Sequence, residues 1–279
     1  MKTIWNLIGK NFIHTTGGHT GKCGTHGKLP DNIEWSFDYE GDTSFYIDWF
    51  MFDGIDDRPE FRKFGWLLES KSIRPKLFEK VKANYKLLFE TYEAIFTHNA
   101  ELIALDDRFR FTLTNGYWIH NIGIHPKTKL LSAISSGKNM CEGHRWRNRM
   151  IELHRDRFDL YGNKYQHIRH KETGLNDYMF SVAIENGSYA SYFTEKILDC
   201  FATGTIPIYK GAPDIGNFFN VDGILFIDDD FSFDMLTPDL YYDKMDAIKD
   251  NFSRVSAYKT AEDYIYETYK DVYWNLKPV

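Results

Sequence analysis

A chain of 279 residues with 43% hydrophobic and 17% aromatic content can bury a substantial core, as one large domain or two of ordinary size. Its formal net charge of −6 argues against a nucleic-acid-binding surface. No apolar run approaches the ~20 residues of a membrane span, and the polar first ten residues do not read as a secretory signal. Cys23, Cys141 and Cys200 lie far apart with no CxxC. Neither a disulfide framework nor a structural zinc site is therefore expected, and a reducing cytosol is.

In chain order, residues 3–8 and 45–52 read as short buried strands, with a glycine-rich loop from Thr15 to Gly27 between them. That loop is not a P-loop, because Thr16 stands where a glycine is needed and Cys23 where Ser or Thr is needed. His14, His19, Cys23 and His26 match no standard zinc spacing, so an acceptor-facing loop is the better reading. Trp66-Leu67-Leu68 reads as a buried strand that ends at Glu69. Residues 75–93 carry Leu77, Phe78, Val81, Tyr85, Leu88, Phe89 and Tyr92 on one stripe, which predicts an amphipathic helix. A strand over 94–97 ends at His98, and a short helix follows near 100–105.

The second half alternates strands over 129–134, 178–184, 205–209 and 224–228 with helices over 143–154 and 194–203. Alternation of this kind implies a parallel sheet covered by helices. Two such halves, dividing near 120–128, make two facing α/β domains. The expected division is 1–125 on the acceptor side and 126–254 on the nucleotide side, with the helical aromatic tail 255–279 crossing back to the first domain.

Residues 178–211 are the most informative. An apolar strand delivers the chain to Glu185-Asn186-Gly187-Ser188, a turn-forming run. Thr194 then sits where a helix N-cap belongs and Gly204 where the helix should stop. Glu195 and Lys196 fall in the first turn, where free N–H groups and a partial positive charge suit a diphosphate. Lys196 would neutralise a departing nucleoside diphosphate, and Glu195 would accept hydrogen bonds from ribose or sugar hydroxyls. Taken alone, such a Glu-Lys pair is far more often an ordinary charged helix start.

The wider pattern resembles family 10 glycosyltransferases, the α-1,3/4-fucosyltransferases. Glu185-Asn186, Tyr192-Phe193-Thr194-Glu195-Lys196, Thr205-Ile206-Pro207-Ile208 and Gly211-Ala212-Pro213 follow the family's signature. Ile184 stands for its Phe, and Gly187 splits its Asn-Ser pair. Trp66 to Ser70, Asp159-Leu160-Tyr161-Gly162, Phe226-Ile227-Asp228 and Asp230-Phe231 are similar to further family segments. The resemblance spans about residues 64–231 and is strongest over 184–213. It implies a GT-B type α/β fold, two facing Rossmann-like domains with a cleft between them. It also implies an inverting transfer of fucose from GDP-fucose to a glycan hydroxyl, with no metal or other cofactor. Glu185, Asn186, Tyr192, Thr194, Glu195 and Lys196 would hold the donor. Ser136 would sit in the matching strand-to-helix turn, and Arg147 or Arg145 would grip the diphosphate.

An inverting transfer needs a group that takes the acceptor hydroxyl's proton. Glu69 is the candidate, against the alternative of a glutamate salt-bridged to Lys71 or Arg74. His98 is the reserve base or an acceptor contact, with a packed or donor-contacting histidine as the better reading. Asp228-Asp229-Asp230 invites a metal-binding DxD reading, but it matches the family's strand end and is taken as structural. Three alternatives stay open: another nucleotide-sugar donor, a metal-dependent GT-A-like transferase, and a non-catalytic glycan-binding module. The expected setting is a bacterial or viral cytoplasm, with peripheral membrane association left open. The expected partners are a nucleotide-sugar donor and a glycan acceptor.

Overall fold

Contacts divide the chain into two α/β units, Met1–Gly116 with Lys259–Val279, and Tyr117–Tyr258. The structure is a computed structural model, and residues 2–9, 29–114 and 116–274 are described. The glycine-rich loop, with His14, His19, Cys23 and His26, lies outside the described residues.

The first unit contains β1 (Thr3–Ile8), β2 (Ile33–Ser36), β3 (Thr43–Ile47), α1 (Phe50–Asp53), β4 (Arg62–Leu67), α2 (Pro75–Thr91), β5 (Ala94–Thr97), α3 (Ala100–Ile103) and β6 (Phe109–Phe111). Its strands pair in the order β2-β1-β3-β4-β5-β6, and every pairing is parallel. The strand expected over 45–52 is cut short. Asp48 takes φ 53°, a left-handed conformation that ends β3 and lets the chain turn into α1. Pro75 opens α2, where a missing N–H costs nothing, and Leu77, Phe78, Val81, Leu88 and Phe89 form its buried stripe.

The second unit contains β7 (Lys129–Ile134), α4 (Glu142–Leu153), β8 (Asp159–Tyr161), β9 (Tyr178–Ile184), α5 (Glu195–Ala202), β10 (Ile206–Lys210), β11 (Leu225–Phe226), α6 (Pro238–Asp243) and α7 (Met245–Ser256). Its strands run parallel in the order β11-β10-β9-β7-β8. All seven residues of β9 are buried, as a central parallel strand covered on both faces requires. One face packs Phe180, Ile206 and Ile208 with α4, and the other packs Ala183 and Tyr209 against Ile197, Leu198 and Phe201 of α5. The strand expected over 224–228 shrinks to two residues at the sheet edge.

The tail holds α8 (Ala261–Thr268) and a π turn, Lys270–Trp274. Asp263 of α8 accepts the backbone N–H groups of Asp31 and Asn32 just before β2. Tyr269, Tyr273 and Trp274 lay their rings on Phe64 and Phe96 of the sheet, with centroids 5.0–5.4 Å apart. Much of the chain's aromatic surplus is spent there, as core.

Candidate active site

In an open parallel sheet, ligands bind beyond the carboxyl ends of the strands where the winding direction reverses. In the second unit that point lies between β7, which leads outward to β8, and β9, which leads the other way to β10 and β11. α4 starts after β7, and Glu185-Asn186 follow β9. The two meet there without room for a side chain. Gly143 donates its N–H to the Asn186 carbonyl at 3.3 Å, and a Cβ on Gly143 would stand 2.0 Å from the Glu185 carbonyl oxygen.

α5 begins beside them. Thr194 is its N-cap and its side chain accepts the Lys196 N–H. The Glu185 carboxylate, wholly buried, accepts the Thr194 N–H at 2.7 Å, the Thr194 hydroxyl at 2.8 Å and Lys196 Nζ at 3.0 Å. Its oxygens are taken by α5, and it acts by fixing Thr194 and aiming Lys196. Burial opposes the lysine's charge, but Glu185, Glu195 and Tyr192 raise its pKa above the ordinary value. Lys196 therefore stays cationic.

Arg147 projects from α4 and is buried, with Nε and Nη2 lacking a partner among the described residues. Desolvation lowers its pKa from the ordinary arginine value. A buried guanidinium with open N–H groups is costly unless a ligand completes it. Arg145 lies on the exposed side of the same helix. His144, buried one turn before Arg147, reports the local field. Its pKa falls to about 4 through desolvation and then through the positive charges of Arg147, Lys196 and Lys138. Histidine 144 was missed in the sequence, although its i, i+3 spacing to Arg147 placed both on one face.

A second missed group braces α5. Asp199, buried, accepts the Trp118 N–H at 2.5 Å and Lys171 Nζ at 2.6 Å. Lys171 also lies 3.6 Å from Glu195. Burial pushes the Asp199 carboxyl up to about 6 against the pull of Lys171. For Glu195 burial also pushes upward, but Lys196 and Lys171 outweigh it and hold the carboxyl at about 2. Lys171 sits in an irregular turn far from α5 in sequence, so no spacing pattern could have paired them.

The remaining second-unit candidates are placed as follows. Ser136 is exposed in the turn after β7 and accepts the Lys138 N–H. Tyr192 is buried, its ring edge-on to Tyr189 at 6.1 Å. Asp229 accepts the Trp146 indole N–H and an Arg149 N–H, both at 3.1 Å, and Asp228 accepts the Asp230 N–H at 3.1 Å.

In the first unit, the ends of β3, β4 and β5 carry Asp48, Glu69, Ser70 and His98. Asp48 accepts the Leu68 N–H at 3.0 Å and, more weakly, the Glu69 N–H at 3.4 Å. Burial pushes its carboxyl up to about 6. Glu69 is half-buried, and no cation pairs with it among the described residues. Lys71 pairs instead with Glu101 at 2.7 Å. Ser70 Oγ, Arg74 Nε and Thr112 Oγ1 are buried without partners among the described residues. His98 is wholly desolvated and its pKa falls to about 4.

Two units, each built on an all-parallel sheet, define a GT-B type fold. Residues 124–267 match the family described as glycosyltransferase family 10 (fucosyltransferase), C-terminal. The chain belongs to that family. A stretch of 67 residues is 36% identical to the alpha-(1,3)-fucosyltransferase FucT of Helicobacter pylori; it covers 24% of this chain and 14% of that protein. Among solved structures, an α1,3-fucosyltransferase superposes with a TM-score of 0.53 at 15% identity, covering 99% of this chain and 91% of the other. The same kind of enzyme with GDP gives 0.51 at 14% identity, over 90% and 81%. TarM gives 0.53 at 15% identity, over 82% of this chain and 55% of TarM. At these identities the structural likeness speaks to the fold alone. Among the described residues no helix is long and apolar enough to cross a membrane.

Proposed function

We propose that this chain transfers fucose from GDP-fucose to a hydroxyl of a glycan acceptor, with inversion at the anomeric carbon. The observation that carries this reading is the buried, unpartnered Arg147 beside Glu185-braced Lys196, in a chain of the fucosyltransferase family. The two cations would take the donor diphosphate, with the N–H groups of the first turn of α5 as further donors. They would stabilise the leaving GDP as its negative charge develops. That is work a divalent metal does in other transferases, and we propose that none is used here. Asn186, Glu195 and Tyr192 would line the nucleotide and sugar, and Glu69 of the first unit is the proposed general base. The GDP seen with a structural relative supports this choice of nucleotide. A reducing, cytoplasmic setting is supported by the buried free thiols of Cys141 and Cys200.

Thermal unfolding in EDTA-containing buffer tests donor and metal together. GDP at ~100 times its Kd should stabilise the protein by roughly 2.7 kcal/mol, and UDP by much less. Equal stabilisation by UDP would sink the GDP assignment. Stabilisation that appears only when Mg2+ or Mn2+ replaces EDTA would overturn the metal-free reading.

A further inference from the structure

We propose that His120, His170 and Glu172 form a binding site for a zinc-like divalent transition ion, separate from the donor pocket. The three side chains each bring a ligand atom to within 4.8 Å of the other two. Two imidazoles and one carboxylate are a ligand set that suits Zn2+ and leaves a fourth position for water. Tetrahedral ligands around zinc lie about 3.4 Å apart at bond lengths near 2.0–2.1 Å. His120 Nδ1 and Glu172 Oε1 are already 3.3 Å apart. The rings of His120 and His170 stand edge-on with centroids 5.3 Å apart, and both histidines are exposed, so a side-chain rotation closes the remaining gap.

A second observation points to the same place. The Glu172 carboxylate is anchored through Oε1, which accepts the His120 backbone N–H at 2.7 Å. Its other oxygen, Oε2, is buried and has no hydrogen-bond partner among the described residues. An ionised carboxylate with one oxygen unsatisfied is an unusual arrangement for a folded protein. A cation on this group would complete it. The anchoring hydrogen bond also holds the carboxylate in position before any ion arrives, which lowers the ordering cost of binding.

An ion here would tie the segment after Tyr117 to the turn Lys171–Gly174. Both segments reach the same buried acid, since Trp118 and Lys171 are the partners of Asp199 on α5. The ion would thus act as a structural clamp behind that helix and take no part in the chemistry. Mg2+ should not replace it, because Mg2+ favours oxygen ligands in an octahedral shell.

The full chain, stripped of metal, is titrated with zinc chloride by calorimetry and followed by thermal unfolding, with magnesium chloride as control. The wild type should bind one Zn2+ per chain at this site and unfold at a higher temperature with it. His170→Ala removes an exposed ligand and should leave the metal-free melting temperature unchanged while weakening zinc binding at least about 10-fold. Glu172→Gln keeps the acceptor for the His120 N–H and removes the charge, and it should weaken binding likewise. Absorption of a Co2+-substituted sample in the visible range should show tetrahedral coordination in the wild type and lose it in both variants. Zinc binding that persists undiminished in both variants, as it would at the Thr15–Gly27 loop, overturns the proposal. So does a wild-type chain that takes up no zinc.

Discussion

The carboxyl ends of the two sheets are built on different electrostatic plans. In the second unit charges come interleaved: Glu185 with Lys196, Glu195 between Lys196 and Lys171, and Lys171 on Asp199. Among the described residues Arg147 is left with two open N–H groups there, and Arg74 with one in the first unit. In the first unit the described strand ends hold a half-buried Glu69, a buried Asp48 and a desolvated His98, with hydroxyls at Ser70 and Thr112 that lack partners. Under the proposed function the first arrangement would receive an anionic ligand, which brings the missing charge. Under the same proposal the second would receive a neutral ligand, which brings hydroxyl groups and a proton to lose. The second unit would thus hold the nucleotide sugar and the first the glycan.

The largest effect should come from the first unit. Glu69→Gln keeps the shape and removes the proton acceptor. Transfer should fall roughly 10²–10⁴-fold, the usual range for a lost general base, while GDP affinity in a direct titration barely moves. A variant that transfers at near-normal rate would remove Glu69 from the chemistry and erase the contrast between the two units.

Next come the two cations, which should separate. Arg147→Ala should cost on the order of 1.5–3 kcal/mol in GDP binding, the worth of hydrogen bonds to a charged group. It breaks no internal pair, so the ligand-free protein should unfold no earlier than wild type. Lys196→Ala should lose a similar amount of GDP binding and also leave Glu185, which is fully buried, without its counter-ion. Breaking such a pair costs about 3 kcal/mol or somewhat less here, since the lysine is partly exposed. Denaturant titrations of both variants, with and without GDP, measure the split. Unchanged GDP affinity in either variant would take that residue out of the diphosphate site.

This contrast also explains what could be read in the sequence. The second unit was legible because its site is local in the chain. Strand, turn, cap and first helical turn follow one another over residues 178–196, so Thr194 and Gly204 bracket α5 as their cap and stop propensities require. Arg147 could be named but not separated from Arg145, because only the packing of α4 decides which arginine is buried. The brace from Lys171 to Asp199 was invisible, since its partners lie 28 residues apart with no periodicity between them. In the first unit the edge strands β2 and β6 are too short to show a pattern. The end of β3 was misplaced because Phe45 to Phe52 is apolar enough to look like one strand, while the left-handed Asp48 that ends it leaves no mark in hydropathy.

A further effect concerns Asp48, and it tests whether the end of β3 is desolvated. Burial raises its carboxyl from 3.8 to about 6, the Leu68 N–H pulls it back, and Glu69 adds repulsion. A group whose folded pKa lies above its unfolded value contributes stability fully below the unfolded pKa and loses it as pH rises through the folded one. Wild-type stability should therefore carry a falling contribution from Asp48 between about pH 4 and 6, with a slope of at most about 1.4 kcal/mol per pH unit. Asp199 and Glu262, raised to about 6 and about 7, slope the same way in overlapping windows, and Glu195, held at about 2, slopes oppositely below pH 4.5. The informative quantity is thus the difference between wild type and Asp48→Asn. Asparagine tolerates the left-handed backbone and keeps an oxygen for the Leu68 and Glu69 N–H groups, yet it does not titrate. The variant should gain stability relative to wild type as pH rises from 4 to 6 and hold that gain above 6. Parallel unfolding curves across this range would mean that Asp48 is solvated, and the two units would then differ less than their sequences of buried charge imply.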